Sequence, residues 1–463
     1  MVFSSAIFLF GFLPFVLLIY YVVLKKKRKA QNVFLFLSSI IFYAWGEPVF
    51  VCIMLLSILI NWILGLLIDK YRNKINARRI VIALTVIYNI SVLFIFKYLS
   101  FVWKNLNLII KSDHVINIAL PIGISFFTFQ CISYVIDVYR GKGKAQKNIL
   151  NVGLYIAFFP QLIAGPIVRY ETIAEQIEGR TESLDLFSQG VRRFVYGLGK
   201  KVVLANSLAI IAEAAFDNTE GLEASMAWLG IIAYTMQIFF DFSGYSDMAI
   251  GLGKMFGFNF NENFNYPYIS KSITEFWRRW HISLGTWFRD YVYIPLGGNR
   301  VSKARHIFNL FCVWSLTGIW HGANWTFLLW GIMYFVLLVI EKEIGVEKIS
   351  KLKVFNHIYT LFFVMIGWVF FNSAGIKEAL SYIGSMFGRN GIDINSSALF
   401  LIKENIIVLL LAVTLCMPVK NVFEKINSKF RKIAEPVLFI ILMIVVFSYV
   451  VKGGYNPFIY FNF

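Results

Sequence analysis

Charged side chains are scarce in this 463-residue chain, at 15% of residues, and acidic ones are scarcer still, with 26 Asp and Glu against 44 Lys and Arg. A soluble globular domain carries about 25% charged residues and about 45–50% apolar ones. Here the apolar share is 58%, the aromatic share 18% and the mean hydropathy +0.68. So little charge excludes a soluble enzyme, and so much apolar material excludes a disordered chain. Cysteine is also sparse. Cys52, Cys131, Cys312 and Cys416 stand singly in apolar surroundings, without a C-x-x-C pair, so neither a zinc site nor a disulfide scaffold is indicated. No histidine is followed by another four residues on, and no metal site is expected. Internal repeats, low-complexity linkers and a separate soluble domain are lacking as well. Without repeats or an inverted pair of halves, a secondary transporter finds little support.

What is present is a succession of apolar runs of about 20 residues, the length that spans a bilayer as a helix. The expected fold is an all-α, polytopic integral membrane protein with roughly 10 to 12 spanning or part-spanning helices, residues 1–463 forming one integral unit. The net charge of +18 then reports cytoplasmic loops rather than nucleic-acid binding. The first run, residues 6–24, is followed at once by Lys25-Lys26-Lys27-Arg28-Lys29. A cleavable signal peptide carries its charge before the apolar run, so this order puts the N-terminus outside. The chain then turns at Glu47-Pro48, meets a basic loop at 70–79, crosses again over 80–99 to a loop around Asp113, and returns over 116–138 to the cytoplasmic residues 140–144. Residues 151–166 read as spanning or re-entrant. Further inside loops are expected at 200–201, 278–305, 341–353 and 420–432, and outside loops at 217–223 and 372–397. A last span over 436–451 sends the 452–463 tail outward, leaving both termini extracytoplasmic.

Ionisable groups at membrane depth are costly and mark function. The richest stretch runs from Gln237 to His321. Its first part, QIFFDFSGYSDMAIGLGKMFGF, is expected to place Asp241, Ser243, Tyr245, Ser246 and Asp247 near one helix end. In SITEFWRRWHISLGTWFRD, Glu275 precedes Arg278 and Arg279 by one helical turn, a spacing at which ion pairs form. Two readings stand side by side. Trp277, Trp280, Trp287, Phe276 and Phe288 suit a helix anchored against membrane lipid at the interface. Arg278 and Arg279 equally suit a clamp for a phosphate-bearing donor or an acidic carrier at the cytoplasmic mouth.

His321 lies in the apolar run SLTGIWHGANWTFLLWG. It reads either as a hydrogen-bonded structural histidine or as a general base, for which an ordinary pKa near 6.5 is suited. Gly322 and Ala323 remove bulk beside it, and Asn324 offers an amide to orient the ring or a substrate carbonyl. A helix entering near His306 reaches His321 after about 22 Å, well across a core of about 30 Å. His281 belongs to the basic segment, so the two histidines are expected at different depths, in a site entered from both sides. His114 and His357 receive no role.

WRRWHISLGTWFRDYVYIPLGGNR followed by GIWHGANW, together with PIGISFFTFQCISYVIDVYRG, FFPQLIAGPIVRY and DFSGYSDMAIGLG, resembles the membrane-bound O-acyltransferases of bacterial envelopes. The similarity is to the membrane subunits of alginate and peptidoglycan O-acetylation, and it extends over nearly the whole chain. The resemblance implies a helical ring, thin at its centre, around a tunnel in the bacterial cytoplasmic membrane. His321 would be the essential tunnel histidine and His281 its motif partner. Arg278, Arg279, Asn324, Trp320, Asp241 and Glu275 are candidates for donor binding or tunnel lining. An acyl group would pass from a cytoplasmic thioester, acetyl-CoA or an acyl carrier, to an extracytoplasmic polysaccharide through an SGNH-type partner. The PLGGNR ending at 295–300 favours acetylation over the related D-alanylation of teichoic acids.

The chain ends Tyr455-Asn-Pro-Phe-Ile-Tyr460-Phe-Asn-Phe463. These residues read as an aromatic belt or, by similarity to a small accessory protein of D-alanylation, as a tail that folds back and carries the acyl group on Tyr460. Another class stays open: a transporter of an envelope precursor, its path lined by Asp241, Asp247 and Glu275.

Overall fold

The computed structural model describes residues 1–111, 114–217, 219–345, 353–419, 428–453 and 459. Every regular element among the described residues is a helix, the form in which an apolar segment satisfies its own backbone away from water. The chain divides into two compact units, Met1–Phe194 with Ser246–Asn261 and Val195–Tyr245 with Glu262–Phe463.

The first unit is built on α1 (Ile7–Val23), α2 (Arg28–Ala44), α3 (Val51–Lys70), α4 (Ile75–Ile110), α5 (Ile124–Arg140) and α6 (Ile149–Ala157). The expected span over 116–138 is corrected here, because its helix begins only at Ile124. Pro121 cannot donate to a helical ladder, and Gly123 turns left-handed at φ 75°. The 151–166 stretch is broken: Phe158 leaves helical geometry at ψ 112°, and the short turn Phe159–Leu162 follows with Pro160 inside it. Phe158, Phe159 and Leu162 are fully buried, so this irregular backbone is surrounded by protein. Arg28, from the first basic loop, grips Glu182 at 2.5 and 2.9 Å. Burial pushes the Glu182 carboxyl up, but hydrogen bonds from Arg28 and Tyr20 outweigh it and hold the group below its ordinary range.

Two long helices, α7 (Leu184–Phe216) and α8 (Ala224–Met255), contribute residues to both units. The second unit adds α9 (Ile273–Arg279), α10 (Ile282–Phe288), α11 (Lys303–His321), α12 (Trp325–Ile344), α13 (Lys353–Asn372), α14 (Ile376–Met386), α15 (Ser396–Leu415) and α16 (Ser428–Lys452). Among the described residues, seven helices are long and apolar enough to cross a membrane, and α1 is a shorter apolar one. The chain is a multi-pass membrane protein. Two expectations are corrected. The Asp241–Asp247 group lies well inside α8 rather than near its end, because the apolar residues upstream of Gln237 extend the helix back to Ala224. Lys200 and Lys201, expected in a cytoplasmic loop, lie within α7, where Lys201 is 3% exposed. Parts of the loops expected around Asp113 and over 341–353 and 420–432 fall outside the described residues, as does Tyr460.

The pair α11 and α12 sets the position of His321. A Cβ on Gly318 would stand 2.4 Å from the Phe327 carbonyl oxygen, and one on Gly331 would stand 2.4 Å from that of Trp314. The backbones touch, and no side chain is available to swing aside. Gly331→Val is expected to destabilise the protein by about 1–3 kcal/mol or more, since overpacking here displaces main chain. Thermal unfolding of the detergent-purified variant measures this, and an unchanged melting temperature would refute the tight crossing.

Candidate active site

His321 is the last residue of α11; the helix stops because Gly322 adopts an extended conformation. Its ring meets Trp320, Trp330 and Phe371 at centroid distances of 5.0, 5.0 and 5.1 Å, each close to edge-on. The imidazole is 4% exposed. Gly322 makes room for Phe327 rather than for His321: a Cβ there would lie 2.2 Å from the Phe327 ring, which packs on Phe371 at 5.0 Å. Asn324 caps α12, its oxygen accepting the Thr326 N–H at 3.2 Å and its NH2 donating to the Ala374 carbonyl at 2.7 Å. Both ends of the amide are thereby committed to the turn that carries His321.

His281 separates α9 from α10 and is 1% exposed. It takes a left-handed conformation at φ 46°, unfavourable for a residue with a Cβ. Asn263 holds it there. The Asn263 carbonyl accepts the Ile282 N–H at 2.9 Å, while its Oδ1 accepts the Ser283 N–H at 3.1 Å and the Ser283 hydroxyl at 2.8 Å. His281 Nδ1 is 3.2 Å from the same Oδ1. The N–H of Ser283 identifies this atom as the amide oxygen, which only accepts, so Nδ1 carries the proton and Nε2 presents a lone pair. That Nε2 is buried and has no hydrogen-bond partner among the described residues. The ring lies edge-on to Phe242 at 4.6 Å and 6.1 Å from Trp320. Trp320 thus touches both imidazoles, which are two buried histidines on one indole.

The remaining candidates are mostly paired within the framework, with Arg278 exposed. Glu275 accepts the Lys271 N–H and the Arg279 guanidinium, both at 2.9 Å. Burial pushes its carboxyl up, and these donors outweigh that push and hold it below its ordinary range. Arg279 also donates to the Asn265 carbonyl, whereas Arg278 is exposed. The start of α9 is capped by Glu341, whose two oxygens accept the N–H groups of Ile273 and Thr274 at 2.5 and 2.9 Å. Asn309 holds the PLGGNR turn by donating to the carbonyls of Leu296 and Gly298 at 3.2 and 3.0 Å. Asp241 is paired with Lys201 at 2.6 Å. Sequence reasoning missed Asn263, Glu341, Asn309 and Lys201. Only Lys201 left a signal, a cation inside the apolar run GLGKKVVLANSLAII.

The family model for membrane-bound O-acyltransferases matches residues 144–384, a span that contains both histidines and the elements that hold them. The chain belongs to the membrane-bound O-acyltransferase family. It is similar to the probable alginate O-acetylase of Pseudomonas syringae pv. tomato, with 45% identity covering 84% of this chain and 75% of that protein. The peptidoglycan O-acetyltransferase of Helicobacter pylori is 32% identical, covering 100% of this chain and 98% of the relative. The teichoic acid D-alanyltransferase of Bacillus subtilis is 31% identical, covering 58% and 69% respectively.

In this O-acyltransferase the indole N–H groups of Trp277 and Trp330 are also buried without a hydrogen-bond partner among the described residues. Their rings meet at 5.4 Å, and Trp330 borders His321. An indole N–H only donates. These buried groups offer an acceptor lone pair on His281 and donors suited to a carbonyl oxygen, within apolar walls. Asn263 is the piece on which the His281 geometry turns. Replacing it with Ala strips the side-chain acceptor from three buried donors, the Ser283 N–H and hydroxyl and His281 Nδ1–H, at about 1–3 kcal/mol for a buried group left unsatisfied. Chemical or thermal unfolding of Asn263→Ala in detergent is expected to show this loss; a change below about 0.5 kcal/mol would mean the contacts are incidental.

Proposed function

We propose that this O-acyltransferase moves an acetyl group from a cytoplasmic thioester, acetyl-CoA or an acyl carrier, to an extracytoplasmic partner of the SGNH type for O-acetylation of an envelope polysaccharide. The observation that carries the reading is the pair of buried imidazoles on Trp320, in a chain 45% identical to a probable alginate O-acetylase. The higher identity and coverage of that relative favour acetyl over D-alanyl transfer.

His321 acts as general base and Tyr460 as transient acyl carrier. A phenol has an ordinary pKa of about 10, far below that of a sugar hydroxyl, so a histidine assists its attack more readily. The phenolic proton passes to His321 as the tyrosine oxygen bonds to the thioester carbonyl carbon. The C–S bond then breaks, and the departing sulfur takes the proton and leaves as a thiol. The aryl ester keeps a good leaving group, so the partner's hydroxyl can accept the acetyl without further energy input. Arg278, exposed at the end of α9, holds the phosphates of the donor, and His281 positions the reacting group. Arg279, Glu275 and Asn324 maintain the framework, while Trp320 is the wall between the two imidazoles. In this reading both termini are extracytoplasmic.

Incubation of the purified protein with radiolabelled acetyl-CoA tests the reading. Labelled protein and free CoA are expected, whereas a transporter would show neither. His321→Ala should slow transfer by about 10²–10⁴-fold without lowering the amount of protein in the membrane. Near-normal transfer in that variant excludes the general base. Tyr460→Phe keeps the ring and removes the nucleophilic oxygen. Normal polymer acetylation by that variant would show that the tail only anchors.

A further inference from the structure

Lys201 and Asp241 form an ion pair whose side chains are 4% and 2% exposed, with Nζ and Oδ1 2.6 Å apart. Lys201 lies in the widened π-helical turn Lys200–Ala205 of α7, and Asp241 lies on α8. The two helices meet closely beside the pair: a Cβ on Gly244 would stand 2.8 Å from the Gly197 carbonyl oxygen and 3.2 Å from the Lys201 nitrogen. Such a pair is expensive to bury, and an apolar pair of similar volume would pack as well or better. Its use shows at the other carboxylate oxygen. Asp241 Oδ2 accepts the main-chain N–H of Ile459 at 3.0 Å, across 218 positions of sequence. Ile459 is itself buried, at 8% exposure.

We propose that the Lys201–Asp241 pair is a latch that docks the enzyme's own C-terminal tail at Ile459. Lys201 pairs with one oxygen of Asp241 and holds the carboxyl in place, leaving the other oxygen for the tail amide. A charged acceptor makes the stronger kind of hydrogen bond with a backbone donor. The Ile459 side chain supplies the apolar part of the contact. Because the carboxylate stays paired with Lys201 when the tail leaves, undocking costs the amide bond and the Ile459 burial but strands no charge. The latch therefore suits a tail that must come and go. Docking stands by itself; its consequence for acetyl transfer rests on the tyrosine reading proposed above.

The test uses the full chain with Cys52, Cys131, Cys312 and Cys416 replaced by Ser and with Ile459→Cys. The reactivity of the single thiol toward a polar maleimide is followed in detergent. Protection is expected in the parent, and labelling at least ten-fold faster after Asp241→Ala. Should Asp241→Ala fail to fold with Lys201 unpaired, the double variant Lys201→Met with Asp241→Leu removes both charges and is expected to label equally fast. Unchanged labelling in a monodisperse variant overturns the latch, whatever the activity. Fast labelling in a background where Tyr460→Phe still acetylates the polymer normally would uphold the latch and discard the relay.

Discussion

A hydrocarbon layer supplies no hydrogen-bond partners, so every polar group carried into it has to be met by another group of the chain. The second unit is organised by that constraint. The strained turn at His281 exists because Asn263 answers the backbone and side-chain donors around it. The helix before it can start in a buried place because Glu341 takes its first N–H groups. A carboxylate at a helix N-terminus also meets the positive end of the helix dipole, so one side chain satisfies hydrogen bonding and charge together. Lys201 is tolerated in the middle of α7 because Asp241 faces it. None of these partners is a neighbour in sequence.

The second constraint is geometric. Aromatic rings enclose His321 on three sides, yet rings alone do not fix the position of a helix end. The contact of main chain with main chain at Gly318 and Gly331 does, because only hydrogens lie between the two helices there. With the crossing fixed, the Asn324 cap and its bond to Ala374 fix the turn. The aromatic residues then pack into what remains. Side-chain flexibility is low where the proposed reaction requires it to be low.

Much of this was legible in the sequence, for identifiable reasons. Spans declare themselves by apolar length, and His321 by being a costly residue in an apolar run. The i, i+4 spacing of Glu275 and Arg279 names their ion pair. What stayed hidden is long-range. Asn263 lies in the loop stretch NFNENFNYPY, where asparagine is ordinary and nothing marks which copy holds a histidine. Glu341 reads as the edge of a charged loop, because its partners stand 67 and 68 residues away. Lys201 misled for a physical reason: loop assignment treats each lysine alone, whereas burial depends on a partner on another helix. The helix start at Ile124 was displaced from expectation by a proline and a left-handed glycine, local signals that the apolar pattern overrode.

The aromatic enclosure bears on a problem that any acyl transfer to an external acceptor faces. A thioester and an aryl ester are both open to hydrolysis, and water is far more abundant than any acceptor. Selectivity for transfer therefore depends on keeping water from the activated carbonyl while admitting one nucleophile. Rings around His321, with indole N–H groups from Trp277 and Trp330 as the donors, suit that requirement, since they provide polarity for a carbonyl and little room for a water network. A carrier on the same chain, as proposed, would add to the selectivity, because it is present at every turnover. A buried Ile459 held through its backbone by Asp241 fits that logic: the segment next to the proposed carrier is apolar where it lies against the protein and is held at one fixed point.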